Sequence, residues 1–179
     1  STLEANDLVD DDNQWFPHLH MMPNGKILMA GPLTMMRWLD FTGLGSYQDL
    51  GNRPPDGDRH RKLGTSVQYL PGKILFLGGR DDRYNPTVTN TALLIDATTA
   101  TPVVTSAPPM NYARAFHYAV MLPNGEVFVT GGNTTGWKFS DIGGDFACGD
   151  HLANLGEHFF HVGPGFPLCE FGVQRGRGF

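Results

Sequence analysis

The sequence lacks most of the features that mark nucleic-acid-binding and membrane-spanning proteins. Acidic residues outnumber Lys and Arg by 18 to 13, and the net charge is −5. The densest basic stretch, Arg59 to Lys62, follows acidic residues and is interpreted as a solvated loop. We therefore expect no nucleic-acid surface, which needs a clustered basic patch. No apolar run approaches the roughly 20 residues that cross a membrane. The two cysteines allow at most one disulfide bond and do not identify a compartment.

Glycine and proline, in contrast, are abundant, with 23 and 13 residues, and only 17% of the residues are charged. This composition, combined with few helix-favouring runs, is typical of many short strands joined by tight turns. At 179 residues the chain is long enough to bury a sizeable core. Composition therefore predicts an all-β protein.

One phrase, clearest between Ala113 and Gly132, predicts a β-hairpin. A run of alternating side chains leads into Pro123-Asn124-Gly125. This tripeptide favours a tight turn, because proline fixes φ while asparagine and glycine tolerate positive φ. A second run, Glu126 to Thr130, is rich in β-branched and aromatic residues and ends at a glycine pair.

The same phrase occurs three times, and its strand-ending glycines are Gly31, Gly78 and Gly131. Their spacing of about 50 residues is typical of a kelch-type β-propeller blade, although three similar hairpins of an ordinary antiparallel protein are the alternative. We divide the chain into an acidic lead-in (1–14), kelch-like blades (15–142, approximately 15–60, 61–110 and 111–142) and an irregular glycine-rich tail (143–179).

The number of repeats has a consequence for assembly. Closed propellers typically need four to eight blades, and a three-blade arc would leave sheet edges open. We therefore expect the chain to be a fragment of a longer propeller, or to close with another copy or another chain. The expected partners are other copies, giving a homo-oligomer, or other propeller blades.

Further phrases in and around these repeats are Trp15 to His20, Asn24-Gly25-Lys26, Asn90-Thr91-Ala92, Ile95-Asp96, Pro108-Pro109-Met110 and Tyr112 to His117. They cover about residues 15–135 and resemble the central blades of the galactose oxidase and glyoxal oxidase group. These are secreted kelch propellers with a mononuclear copper and a tyrosyl radical. The resemblance implies a partial β-propeller of about three four-stranded antiparallel blades. It also implies an extracellular or periplasmic location.

The resemblance also implies where copper ligands should stand. In that group a Cys-crosslinked tyrosine, a Tyr-His pair in an Arg-x-Tyr-His phrase and a histidine from a C-terminal domain hold the copper. The corresponding phrase here has Phe116 at the tyrosine position, before His117, and the group's Trp-Tyr-Pro phrase contains Phe16. A phenyl ring can neither ligate copper nor carry the radical, so we predict no catalytic residue in this chain.

Two functions follow as hypotheses. The first is a non-catalytic, secreted kelch-like module for protein interaction or self-assembly, with a carbohydrate or protein ligand. The alternative is a segment of a copper oxidase acting on alcohols or aldehydes, with its site completed by other sequence or another subunit. Copper is implied only by the resemblance.

Histidines are the candidate metal ligands. His18 and His20 alternate on one strand, a spacing that presents two imidazoles to one side. The full candidate set is His18, His20, His117, His151, His158 and His161. For His117 the alternative to metal binding is burial beside a strand. For His18 and His20 the alternative is packing or hydrogen bonding.

Two covalent modifications are also predicted. Cys148 and Cys169 could form a disulfide bond if the protein is exported. Asn133-Thr134-Thr135 is a glycosylation sequon, which has meaning only in a secreted eukaryotic protein.

Overall fold

The computed structural model describes residues 16–53, 60–81 and 87–136, together with the backbone of two strands at 157–161 and 170–173. The strands are β1 His18–Met21, β2 Ile27–Gly31, β3 Met35–Asp40, β4 Ser46–Asn52, β5 Thr65–Leu70, β6 Lys73–Leu77, β7 Ala92–Asp96, β8 Val103–Ala107, β9 Ala115–Met121, β10 Glu126–Asn133, β11 Glu157–His161 and β12 Glu170–Val173. Within these described ranges there is no helix, so the prediction of an all-β protein is confirmed.

The twelve strands form three four-stranded antiparallel sheets, which we call blade 1 (β1–β4), blade 2 (β5–β8) and blade 3 (β9–β12). Each sheet follows chain order, so every strand pairs with the next one along the sequence. Each repeated phrase forms the first two strands of a blade. The first strands are neighbours in space, since β5 lies beside both β1 and β9. We call β1, β5 and β9 the inner strands.

The blades hold together through two apolar cores that share β6. Ile74 and Phe76 contribute to a core with Leu28 and Trp38 of blade 1. Leu75 and Leu77 contribute to the other core, against blade 3. Because successive side chains of a strand point to opposite faces, the four apolar residues of β6 serve both neighbours of blade 2. This explains why β6 is a continuous apolar run rather than an alternating one.

The third blade departs from the sequence analysis in two ways. The glycine pair does not end β10, which continues to Asn133 and pairs with β9 on the way. The predicted irregular tail, 143–179, contains β11 and β12, and these complete blade 3. That prediction was wrong for these two segments, because short strands of five and four residues are hard to recognise among many glycines. The acidic lead-in lies outside the described residues.

The glycine pair of blade 3 offers a matched test of backbone packing. Gly131 and Gly132 have φ of +74° and +85°, which other residues rarely adopt. A Cβ on Gly132 would lie 2.5 Å from the Ala115 carbonyl oxygen, whereas one on Gly131 would meet nothing within 4 Å. We expect Gly132→Ala to lower the free energy of unfolding by about 3 kcal/mol and Gly131→Ala by about 1 kcal/mol. Urea denaturation of both variants measures the difference, and equal losses would contradict the packing argument.

Candidate functional site

The histidines predicted from their alternate spacing meet a serine at the seam between blades 1 and 2. His18 Nδ1 and His20 Nε2 on β1 each lie 2.8 Å from the Ser66 hydroxyl oxygen on β5. The bridge is half-buried. Gly31 opposite His18 makes room for it, because a Cβ there would lie 2.7 Å from the Phe76 ring and 3.2 Å from the His18 ring. The sequence spacing predicted that the two imidazoles face the same side of the strand, but gave no sign that a hydroxyl lies within hydrogen-bond distance of both.

Both imidazoles of this bridge are neutral near pH 7. Burial is the main cause that lowers the pKa of His18 to about 3, and the charges of His20 and Arg53 lower it further. Burial also lowers the pKa of His20 to about 4. Ser66 has one hydroxyl proton, so it donates to one ring nitrogen and accepts from the N–H of the other ring. The arrangement is a hydrogen-bonded link between two inner strands, β1 and β5.

His117 lies deeper, on β9, with only 4% of its surface exposed. Glycines surround it: a Cβ on Gly78 would lie 2.7 Å from its Cε1, and one on Gly132 would lie 2.9 Å from its Cβ. Among the described residues neither ring nitrogen has a hydrogen-bond partner. Burial lowers its pKa to about 3, and Arg114 and His18 lower it further. The Leu77 backbone approaches the ring without reaching hydrogen-bond geometry and has an opposing effect. His117 is therefore a neutral, packed core histidine in this fold.

The unpartnered ring of His117 leads to a prediction of increased stability. We expect His117→Leu, which keeps a similar volume without the buried polar nitrogens, to raise the free energy of unfolding by about 1–2 kcal/mol. Urea denaturation at pH 7.5 measures this change. His117→Ala is the control, since it leaves a cavity and should destabilise the protein. A loss of stability in both variants would mean that the ring has a partner.

Two buried arginine side chains also contact the seam between blades 1 and 2. The guanidinium groups of Arg53 and Arg61 lie over the Phe76 ring, 4.9 and 5.6 Å from its centroid. Arg61 also donates to the Gly78 carbonyl at 3.3 Å and to the Thr91 carbonyl and hydroxyl at 3.0 and 2.7 Å. The interpretation of residues 59–62 as a solvated loop was wrong for Arg61 and Lys62, which are buried. Carbonyl groups and an aromatic face, which sequence reading does not reveal, satisfy the Arg61 charge.

A shared backbone feature marks the start of the inner strands. Phe16, Leu63 and Phe116 are the non-glycine residues of the described ranges with positive φ, at 59°, 59° and 60°. They occupy equivalent places in the three repeats, and the Phe116 N–H donates to the Leu63 carbonyl at 2.7 Å. Two of them are the phenylalanines that sequence analysis placed at the tyrosine positions. Left-handed residues of this kind are costly and are often held at functional sites.

The sequon asparagine has a structural role. Asn133 is buried, and its side-chain oxygen accepts hydrogen bonds from Thr135 Oγ1 at 3.1 Å and from the Gly136 N–H at 2.8 Å. Glycosylation of this residue stays a prediction, and a sugar could be attached only before this loop folds.

The comparisons with known proteins agree with the repeat pattern. Galactose oxidase from Gibberella zeae is 32% identical over 142 residues, which cover 73% of this chain and 20% of the relative. The chain is homologous to galactose oxidase. No protein-family model matches it. It spans about a fifth of the length of that curated relative.

The galactose oxidase homology is accompanied by a structural match. The chain superposes on the solved structure of a fungal alcohol oxidase of the AA5 family in complex with copper, with a TM-score of 0.70 and 28% identity. The match covers 88% of this chain and 31% of that chain. It confirms the resemblance and the assignment of the three sheets as propeller blades. No helix of the described residues has the length and apolar character needed to span a membrane.

The described residues of this galactose oxidase homologue do not by themselves fit a copper ion. Among them, no three His, Cys, Asp or Glu side chains lie close enough together to hold a metal. His18 and His20 converge on Ser66, and His117 is enclosed by glycines. The remaining metal candidates, His151, His158 and His161, and the disulfide candidates Cys148 and Cys169, lie outside the residues whose side chains are described. The backbone register alone places His158 opposite Val129 and His161 opposite Glu126.

Proposed function

We propose that the chain supplies three consecutive blades of a secreted, galactose-oxidase-like copper oxidase that acts on alcohols or aldehydes. The observation that carries this proposal is the match to a copper-bound alcohol oxidase across 88% of the chain. The 32% identity to galactose oxidase agrees with it. The match spans far more of the chain than a single hairpin would.

In this proposal the described residues form a scaffold rather than the reaction centre. The inner strands are fixed to each other by the His18–Ser66–His20 bridge and by the Phe116–Leu63 backbone hydrogen bond. At least part of the copper ligand set would come from residues beyond the described ranges, because no three described His, Cys, Asp or Glu side chains lie close enough together to hold a metal. When bound, copper would supply the redox chemistry, and the rigid inner strands would keep its surroundings in place.

The test uses protein purified from the organism that makes it, so that the polypeptide has its native length. Copper content is measured by elemental analysis, and hydrogen peroxide release is measured with galactose, simpler primary alcohols and aldehydes. We expect about one copper per polypeptide, a radical absorption band and peroxide release that chelation abolishes. A metal-free, inert protein would overturn the proposal.

A second candidate function, a non-catalytic module for protein interaction or self-assembly, is favoured by one observation. Large apolar side chains are exposed on the inner strands of blades 1 and 3, at Leu19, Met21, Tyr118 and Val120. A metal-free native protein that associates through these residues would support this function.

A further inference from the structure

We propose that Asn24 is a site of spontaneous deamidation, and that Glu126 protects the equivalent residue of blade 3, Asn124, from the same reaction. Each asparagine precedes a glycine in the turn that joins the first two strands of its blade, β1 and β2 or β9 and β10. The inference concerns a covalent modification of the chain and does not depend on the proposed oxidase function.

The blade 1 turn holds Asn24 through hydrogen bonds of its own backbone. The Gly25 N–H donates to the Met22 carbonyl at 2.9 Å, and the Lys26 N–H donates to Asn24 Oδ1 at 3.0 Å. Gly25 has a φ of +79°. Because these hydrogen bonds all lie within residues 22–26, the shape of the turn is set within the hairpin and not by a neighbouring blade.

The blade 3 turn repeats this geometry around Asn124. The Gly125 N–H donates to the Leu122 carbonyl at 3.0 Å, and the Glu126 N–H donates to Asn124 Oδ1 at 3.1 Å. Gly125 has a φ of +86°. One contact is added in this turn: Asn124 Nδ2 donates to Glu126 Oε2 at 2.8 Å.

Blade 1 has a side chain of opposite charge at the corresponding place. Lys26 follows the Asn-Gly pair there, and its ammonium group lies 3.5 Å from the Asp40 carboxylate. A lysine side chain is only a donor, so it cannot accept a hydrogen bond from the Asn24 amide group as Glu126 does from Asn124. The two turns therefore share their backbone bonds and differ in the charge beside the asparagine.

Deamidation begins when the backbone nitrogen of Gly25 attacks the side-chain carbonyl carbon of Asn24. The bond between this nitrogen and Cγ forms, and the bond between Cγ and Nδ2 breaks. The amide nitrogen leaves as ammonia, taking the proton of the Gly25 nitrogen, and a succinimide ring remains. Water then opens the ring to give an aspartyl or isoaspartyl residue at position 24. A glycine favours the attack because it has no side chain to hinder the close approach.

The side chain that follows the glycine changes the rate of this attack. Negative charge develops on the side-chain oxygen of the asparagine, and a nearby ammonium group stabilises that charge whereas a carboxylate opposes it. In blade 3 the hydrogen bond from Asn124 Nδ2 to Glu126 must also break before ammonia can leave. We therefore expect Asn124 to react about tenfold more slowly than Asn24, a ratio that the loss of one such hydrogen bond supplies.

The modification would alter the hairpin that carries the His18–Ser66–His20 bridge. The succinimide nitrogen has no hydrogen, so the bond from Gly25 to the Met22 carbonyl is lost at that stage. An isoaspartyl residue at position 24 adds one methylene group to the main chain of the turn. The connection between β1 and β2 would then be longer and less constrained.

The experiment follows both sites in one sample of the native, full-length protein. The protein is incubated at mildly alkaline pH, and peptide mapping by mass spectrometry measures the loss of each asparagine, while enzymatic methylation detects isoaspartyl residues. We expect the Asn24 peptide to be converted about ten times as fast as the Asn124 peptide. Equal rates, or a faster reaction at Asn124, would overturn the proposal.

Glu126→Lys tests the cause of the difference, because it gives the blade 3 turn the Pro-Asn-Gly-Lys sequence of blade 1. It should raise the rate at Asn124 by about tenfold, and Glu126→Gln, which keeps an acceptor oxygen without the charge, should raise it less. The rate at Asn24 is the internal control and should stay unchanged, since unfolding of a variant would accelerate both sites. An Asn124 rate that Glu126→Lys leaves unchanged would contradict protection by Glu126.

Discussion

Phe76→Ala is expected to lower the free energy of unfolding by about 4 kcal/mol. Phe76 is fully buried in the core between blades 1 and 2. Its ring lies 4.6 Å from the His18 ring, and the Arg53 and Arg61 guanidiniums lie over it. Truncation would leave a cavity and would also remove the aromatic face that these two cations use. Urea denaturation at neutral pH measures the loss.

Phe41→Ala is the control for this experiment. Phe41 is the same residue type but is 56% exposed, just after β3. We expect its replacement to change stability by less than about 0.5 kcal/mol. Comparable losses in the two variants would contradict the assignment of the blade 1–blade 2 core.

The second large effect is a loss of stability in mild acid. His18, His20 and His117 have pKa values near 3, 4 and 3 in the folded protein, against an ordinary value of 6.5. Between these values the unfolded state binds protons that the folded state excludes, so stability rises with pH and falls as pH is lowered below about 6.5. At pH 5 each histidine contributes a loss of about 1–2 kcal/mol, or about 4 kcal/mol together.

Urea denaturation at pH 7.5 and pH 5.0 measures this loss. His117→Leu should remove about a third of the pH dependence, because one of the three titrating groups is gone. Asp96, whose pKa is lowered to about 2 mainly by the hydrogen bond from Lys73, contributes in a separate window. Its contribution is present above its ordinary pKa of 3.8 and is lost only as pH falls below that value. Equal stability at pH 7.5 and 5.0 would contradict the neutral state of the buried imidazoles.

Much of the fold was predictable because the residue types within each repeat favour its turn and its strands. Pro23-Asn24-Gly25 and Pro123-Asn124-Gly125 fix turns, and the apolar runs that follow them fix strands. The period of the glycines then indicates the blade. The turn and strand signals act over a few residues, so they are present in the sequence whatever the chain packs against, and the glycine period repeats them.

The candidate site was less predictable because its contacts link residues far apart in the sequence. His18 and Ser66 are 48 residues apart, and nothing in either local sequence indicates the other. Arg61 stands in a polar stretch, yet its partners are carbonyl groups and the Phe76 ring, which only the assembled blades bring to it. The β11 and β12 segments were missed for a related reason: they are short and depend on pairing with β10.

The double-sided packing of β6 also sets the order in which the structure opens. Blade 2 is held on both faces, whereas among the described residues blades 1 and 3 are each held by one blade. When the 179-residue chain is studied on its own, blade 1 or blade 3 separates at the cost of one interface and blade 2 at the cost of two. Amide hydrogens of β6 should therefore exchange with solvent most slowly, and through global unfolding, while those of β2 and β10 exchange through partial opening of a terminal blade.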